Sequence, residues 1–92
     1  MNDDINRAYR ALGMAVVQDA CEEWVENAER IYKLKVKQKV FRLTSYQESV
    51  LAGLIGRNLA LERFIMSDWG ETLSGLDGKV IVEKLKERTS KW

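Results

Sequence analysis

The stretch from Leu12 to Arg42, LGMAVVQDACEEWVENAERIYKLKVKQKVFR, decides the fold. In it Leu12, Ala15/Val16, Ala20, Trp24, Ala28 and Ile31 recur at spacings of three and four, and the same line reaches back through Ala8 and Ile5 to Asp3 and Asp4, which can cap it. Such spacing puts apolar side chains on one face of an α-helix, so a long amphipathic first helix is expected. A second apolar line, Val25, Tyr32, Val36, Val40 and Leu43, carries the helix toward Lys39. Lys33-Leu34-Lys35-Val36-Lys37 also alternates with period two, which leaves a short strand within residues 33–43 as the alternative.

Downstream, Leu43-Thr44-Ser45-Tyr46-Gln47-Glu48 is a break followed by a helix start, with Thr44 or Ser45 as cap and Gln47 or Glu48 as its capping-box partner. The second helix then runs to about Met66, with Val50, Leu51, Leu54, Ile55, Leu61, Phe64 and Ile65 as a broad apolar stripe. Ala52, Gly56 and Ala60 form a line of small residues. Glycine inside a helix costs about 1 kcal/mol against alanine, so Gly53 and Gly56 suggest that another helix packs closely there, from the same chain, a second copy or a partner. Ser67 and Asp77 are expected to cap a short helix and a last helix, with Trp69, Leu73, Val80, Ile81 and Leu85 facing the core. The expected fold is all-α: one domain, residues 1–92, built as a three-helix bundle with a long first helix and a short additional helix before the last.

Ninety-two residues allow one modest core. There is no proline to force a kink, and 46% apolar with 32% charged residues is the composition of a folded chain. Met1-Asn2-Asp3-Asp4 is acidic where a secretory signal would be basic, and the most apolar window, Val50 to Met66, is interrupted by Arg57, Asn58, Glu62 and Arg63. A soluble, cytosolic protein with no membrane segment is the expectation.

The chain has no histidine, which removes the commonest general base and metal ligand, and its lone Cys21 forms no internal disulfide and reads as a small apolar group on a helix. Zinc sites of nitrogen and sulfur are excluded. Gly53-Leu54-Ile55-Gly56 and Gly75-Leu76-Asp77-Gly78 lack the pattern of phosphate loops. Carboxylates cluster at Asp19, Glu22, Glu23, Glu26 and Glu29, several of them on one helical ridge, but paired catalytic carboxylates face each other across a cleft. The ridge reads as a solvated face or an acidic contact surface, with Glu26–Arg30 and Glu29–Lys33 as favourable i,i+4 pairs. No enzymatic activity, cofactor or metal is expected.

Phe64-Ile65-Met66-Ser67-Asp68-Trp69, then Leu73-Ser74-Gly75-Leu76-Asp77-Gly78 and Ile81-Val82-Glu83-Lys84-Leu85, resemble a group of small uncharacterised proteins encoded by phages and integrated elements of Gram-positive bacteria. In these a helix ends in a phenylalanine-containing segment and Ser-Asp/Glu-Trp, followed by Leu-Thr/Ser-x-x-Asp-Gly and a basic helix. Ala15-Val16-Val17-Gln18-Asp19-Ala20 is similar to their alanine-rich opening, so the likeness covers about residues 14 to 88. The chain departs from the pattern at Gly70, where the group carries a larger residue, and in a longer central helix. The resemblance implies a mobile-element setting and a home in the host bacterial cytosol, and supplies no mechanism.

Charge is segregated along the chain: residues 1–29 carry a net −5, residues 30–46 a net +6, and residues 47–92 none. Arg30, Lys33, Lys35, Lys37, Lys39 and Arg42 make a basic segment, with Tyr32, Phe41 and Tyr46 available for stacking. Such a segment suits a partner protein or a nucleic acid. Small size, missing catalytic groups, charge polarity and the mobile-element resemblance together point to a protein-binding accessory. An inhibitor of a host defence system fits, of the anti-CRISPR type, with a host or phage protein as partner. The alternatives are a nucleic-acid-binding protein using residues 30–42, and a homodimeric phage structural or assembly accessory acting through the small-residue face.

Overall fold

The computed structural model describes the backbone of residues 2–90 and 92, and the side chains of 12–90 and 92. The roles expected of Asp3, Asp4, Ile5 and Ala8 lie outside the described side chains. Among the described residues four helices follow one another: α1 (Asn2–Val40), α2 (Ser45–Met66), α3 (Asp68–Ser74) and α4 (Gly78–Thr89). The protein is all-α, a three-helix bundle of α1, α2 and α4 with the short α3 between the last two. Residues 33–40 are helix, not strand. A period-two pattern needs a neighbouring strand to pair with, and none exists among the described residues.

Local capping sets the boundaries. Gln47 N–H donates to Thr44 Oγ1 at 3.1 Å while Thr44 N–H donates to Gln47 Oε1 at 3.0 Å, which closes the capping box that starts α2. Ser67 starts α3 by accepting from Gly70 N–H at 3.0 Å, and its hydroxyl donates back to the Phe64 carbonyl at 2.6 Å. Gly75, in the left-handed region at φ 70°, ends α3, and Asp77 starts α4 by accepting from Lys79 N–H at 3.0 Å.

The core joins α1 (Ala20, Trp24), α2 (Leu61, Ile65) and α4 (Val82, Leu85) around Ile65, which is wholly buried. Buried among the same helices are three polar residues. Asn27 Nδ2 donates to Asn58 Oδ1 at 3.0 Å, Asn58 Nδ2 donates to the Trp24 carbonyl at 3.1 Å, and the Glu62 carboxylate meets Lys86 Nζ at 3.4 Å. Each buried amide thus finds a partner, as burial demands. In the sequence Asn58 and Glu62 interrupt an apolar helix. Their positions with Leu54, Leu61 and Ile65, at spacings of three and four, put them on the inner face.

Four expectations about facing are corrected. The small-residue line Ala52, Gly56 and Ala60 is exposed, and a Cβ at Gly53 or Gly56 would meet open space, because that line lies opposite the buried Leu54–Asn58–Leu61–Ile65 face. The close approach expected there occurs at Gly70 and Gly78 instead, whose added Cβ atoms would collide with the Phe64 and Ile65 carbonyls at the end of α2. Trp69 is 65% exposed rather than core: Gly70 takes the inner position of α3, which turns its neighbour outward. Val80 is likewise exposed, since Gly78, Val82 and Leu85 fix the inner face of α4. Along the first apolar line, Leu12, Ala15 and Val16 are exposed and Val17 is buried in their place.

The molecule measures 60 × 25 × 18 Å, with a radius of gyration of 16.3 Å against about 12 Å for a compact domain of this length. Its length is that of α1, 39 residues at about 1.5 Å each. α4 runs alongside α1 and ends near Tyr32, where the rings of Tyr32 and Trp92 meet at 5.8 Å between centroids. The end of α1, the start of α2 and the loop joining them form a two-helix hairpin tip.

Candidate binding surface

The basic segment lies on this tip. Arg30, Lys33, Lys35, Lys37 and Lys39 stand on the last turns of α1 and Arg42 in the loop, and all six are exposed. Their helical spacing divides them. Arg30 and Lys33 share a shallow groove with Leu34, Tyr46 and Val50, whereas Lys35 turns to the opposite flank, toward Tyr32 and Trp92. Among the described residues, Lys33 has an ion-pair partner, Glu29 at 3.2 Å, and the other five have none. The Glu26–Arg30 pair expected from the spacing is not formed.

Interleaved with these cations are apolar side chains that the fold leaves in solvent. Tyr32, Val36 and Val40 of the second apolar line are exposed, as are Phe41 in the loop and Tyr46 at the start of α2, the last at 78%. Leu43 alone of this group turns in and is buried, and it closes the end of the hairpin. Valine and phenylalanine gain nothing from solvent exposure, so an exposed cluster of them beside lysines marks a contact surface better than either feature alone.

The acidic ridge does not stay together. Glu22, Glu26 and Glu29 remain on the open side of α1, where Arg88 of α4 lines the same groove as Glu22 and Glu26. Glu23 faces α2 and takes a two-pronged bond from Arg57, with Nε to Oε2 at 2.5 Å and Nη2 to Oε1 at 3.0 Å. That bond holds the Glu23 carboxyl below the usual carboxylate range, against a partial desolvation that acts the other way. Asp19 lines the same side, with Glu23 and Arg57. Of the five acids, Glu23 alone bonds across the α1–α2 seam among the described residues, and Asp19 lines it. Cys21 is half-buried against the core, and burial, with the Glu22 charge added, pushes its thiol pKa up. Among the described residues no group of three or more histidine, cysteine, aspartate or glutamate side chains is placed to hold a metal ion, and no helix is long and apolar enough to cross a membrane.

One part of the surface escaped the sequence reading. On the Lys35 flank, α1, α2 and the end of α4 enclose an open groove of about 430 Å³, walled by Trp24, Tyr32, Ile55, Leu59 and Trp92, with Lys35 and Lys86 also lining it. Tyr32 was legible as part of an apolar line, but nothing local brings it to Trp92, 60 residues away.

No family model, no curated protein and no solved structure matches the chain significantly. The functional reading therefore rests on the geometry and chemistry of these surfaces.

Proposed function

We infer that this chain is a non-enzymatic binding protein that grips an acidic protein surface with the tip of its α1–α2 hairpin. The observation that carries the reading is the combination on that tip: six exposed cations, five of them without a carboxylate partner among the described residues, interleaved with exposed Tyr32, Val36, Val40, Phe41 and Tyr46. Complementary charge steers the encounter and fixes register, while the apolar and aromatic side chains supply the buried contact that holds the complex. One feature favours a protein over a nucleic acid: Val36 and Val40 are exposed among the cations and offer neither stacking nor a phosphate contact.

In the mobile-element setting suggested by the likeness of residues 64–85 to phage and integrated-element proteins, the partner is a host or phage protein and the effect is inhibition. A defence effector of the CRISPR type is the target to try first. The test is a plaque assay on CRISPR-immune hosts of several effector types, with this protein or its Lys35→Glu/Lys37→Glu/Lys39→Glu variant. The inhibitor reading expects immunity to fall with the first and not with the second, and unchanged immunity across effector types rejects it. Mixing with random duplex DNA at low salt decides the competing case, because binding that weakens steeply with added salt would move the tip to the nucleic-acid class.

A further inference from the structure

The groove on the Lys35 flank is apolar and aromatic along its walls and carries two cations, one from each side. Lys35 comes from α1 and has no carboxylate partner among the described residues; Lys86 comes from α4 and stays largely exposed although it touches Glu62. Tyr32, Ile55, Leu59 and Trp92 are all left more than a third exposed within it, while Trp24 closes its inner end at 6%. At about 430 Å³ the groove matches the size and lining of pockets that receive a bulky side chain or small ligand, and it opens broadly to the surface as interface pockets do.

We propose that this groove anchors an acidic amphipathic helix of the partner. One bulky apolar side chain of that helix enters against Trp24, Tyr32 and Trp92, and carboxylates beside it pair with Lys35 and Lys86. The inference rests on the reading of the hairpin tip as a contact for an acidic protein, and it names the segment that reaches it. Two observations select this occupant. Tyr32 and Lys35 belong to both the tip and the groove, so a helix seated here continues the same contact surface. The two cations come from opposite walls, Lys35 from α1 and Lys86 from α4, so acidic side chains flanking an apolar anchor meet a cation on each side, and an amphipathic helix presents that chemistry.

The test uses tryptophan emission. Trp69 is exposed and does not line the groove, and Trp69→Phe leaves Trp24 and Trp92, both groove residues, as the reporters. The probes are a synthetic amphipathic helix of about 16 residues, leucine on one face with glutamate beside it, the same peptide with lysine for glutamate, and an oligothymidylate. The acidic peptide is expected to shift the emission and saturate, and the other two to leave it unchanged. Ile55→Gln/Leu59→Gln, at two exposed positions, is expected to weaken the acidic peptide by tenfold or more, on the order of one hot-spot contact, with an unaltered thermal melt. Full binding by that variant, an emission change with the oligonucleotide, or no binding of the acidic peptide each overturns the groove assignment. The two readings separate in Lys37→Glu/Lys39→Glu, which lie outside the groove: if these weaken the peptide while Ile55→Gln/Leu59→Gln does not, the tip contact stands and the groove falls. If neither variant weakens it, both fall.

Discussion

At one end of the bundle three helix termini meet almost backbone to backbone, while at the other a two-helix hairpin holds its cations and apolar side chains in the open. The first region is the junction where the last turn of α2, with Phe64 and Ile65, meets the starts of α3 and α4. There the Phe64 carbonyl takes the Ser67 hydroxyl at 2.6 Å, Gly78 N–H donates to Glu71 Oε1 at 3.2 Å, and Gly70 and Gly78 have no room for a Cβ. At the second, only Leu43 is buried among the exposed residues of the loop. Tightness at the junction holds the three helices in register, and the tip is free to be a surface. Glycine marks the difference: the junction glycines are required by space, and those on the open face of α2 are not.

That contrast breaks or sharpens through four measurements. The largest effect is expected from Gly70→Val or Gly78→Val, where the new side chain must displace the backbone at the end of α2. A loss of about 3 kcal/mol in chemical denaturation is expected, and a variant as stable as the parent would remove the junction from the argument. Next comes the polar core: Asn58→Ala leaves the Asn27 amide without its buried acceptor and should cost about 2 kcal/mol. Combining it with Asn27→Ala should show a coupling of about 1 kcal/mol, and strict additivity would mean that the bond at 3.0 Å contributes nothing.

The sign reverses on the open face. Gly53→Ala and Gly56→Ala meet no neighbour, so each should stabilise α2 by about 0.5–1 kcal/mol; destabilisation by either would reveal a close contact on that face, such as a second copy. The smallest effect concerns Glu23. Its pKa is depressed by the Arg57 bond, so its contribution is complete above the unfolded-state value and disappears as pH falls through the folded one. With both side chains more than a third exposed, screening keeps it small. Glu23→Gln should therefore lower the melting temperature by about 1 °C at pH 7, and by progressively less as pH falls through the depressed folded-state value. A difference that persists in acid would assign the effect to packing rather than charge.

Part of this was legible before any coordinates. The length of α1, a capping box at Thr44 or Ser45 that the structure places on Thr44 and Gln47, the caps at Ser67 and Asp77, the break at Gly75 and the Glu29–Lys33 pair all involve residues within a few positions of one another. The exposure of the basic segment was equally legible, because lysine runs stay in water. The rotation of each helix about its own axis was not. The first apolar line offered Ala15 or Val16 to the core, and the packing took Val17; the α3 motif offered Trp69, and the packing took Gly70.

The sequence by itself determined an all-α chain, the places where its helices start and stop, and a basic segment separated from an acidic one. Hydrogen bonds between near neighbours and the solvation of charges are local, so one strand of residues contains them. Only the tertiary structure decided that Asn58 and Glu62 are buried, that Glu23 leaves the acidic ridge for Arg57, that the glycines of α2 are bare, and that Tyr32 and Trp92 close one groove. Each of these depends on which face a second helix covers, and that is set by packing between residues far apart in the chain.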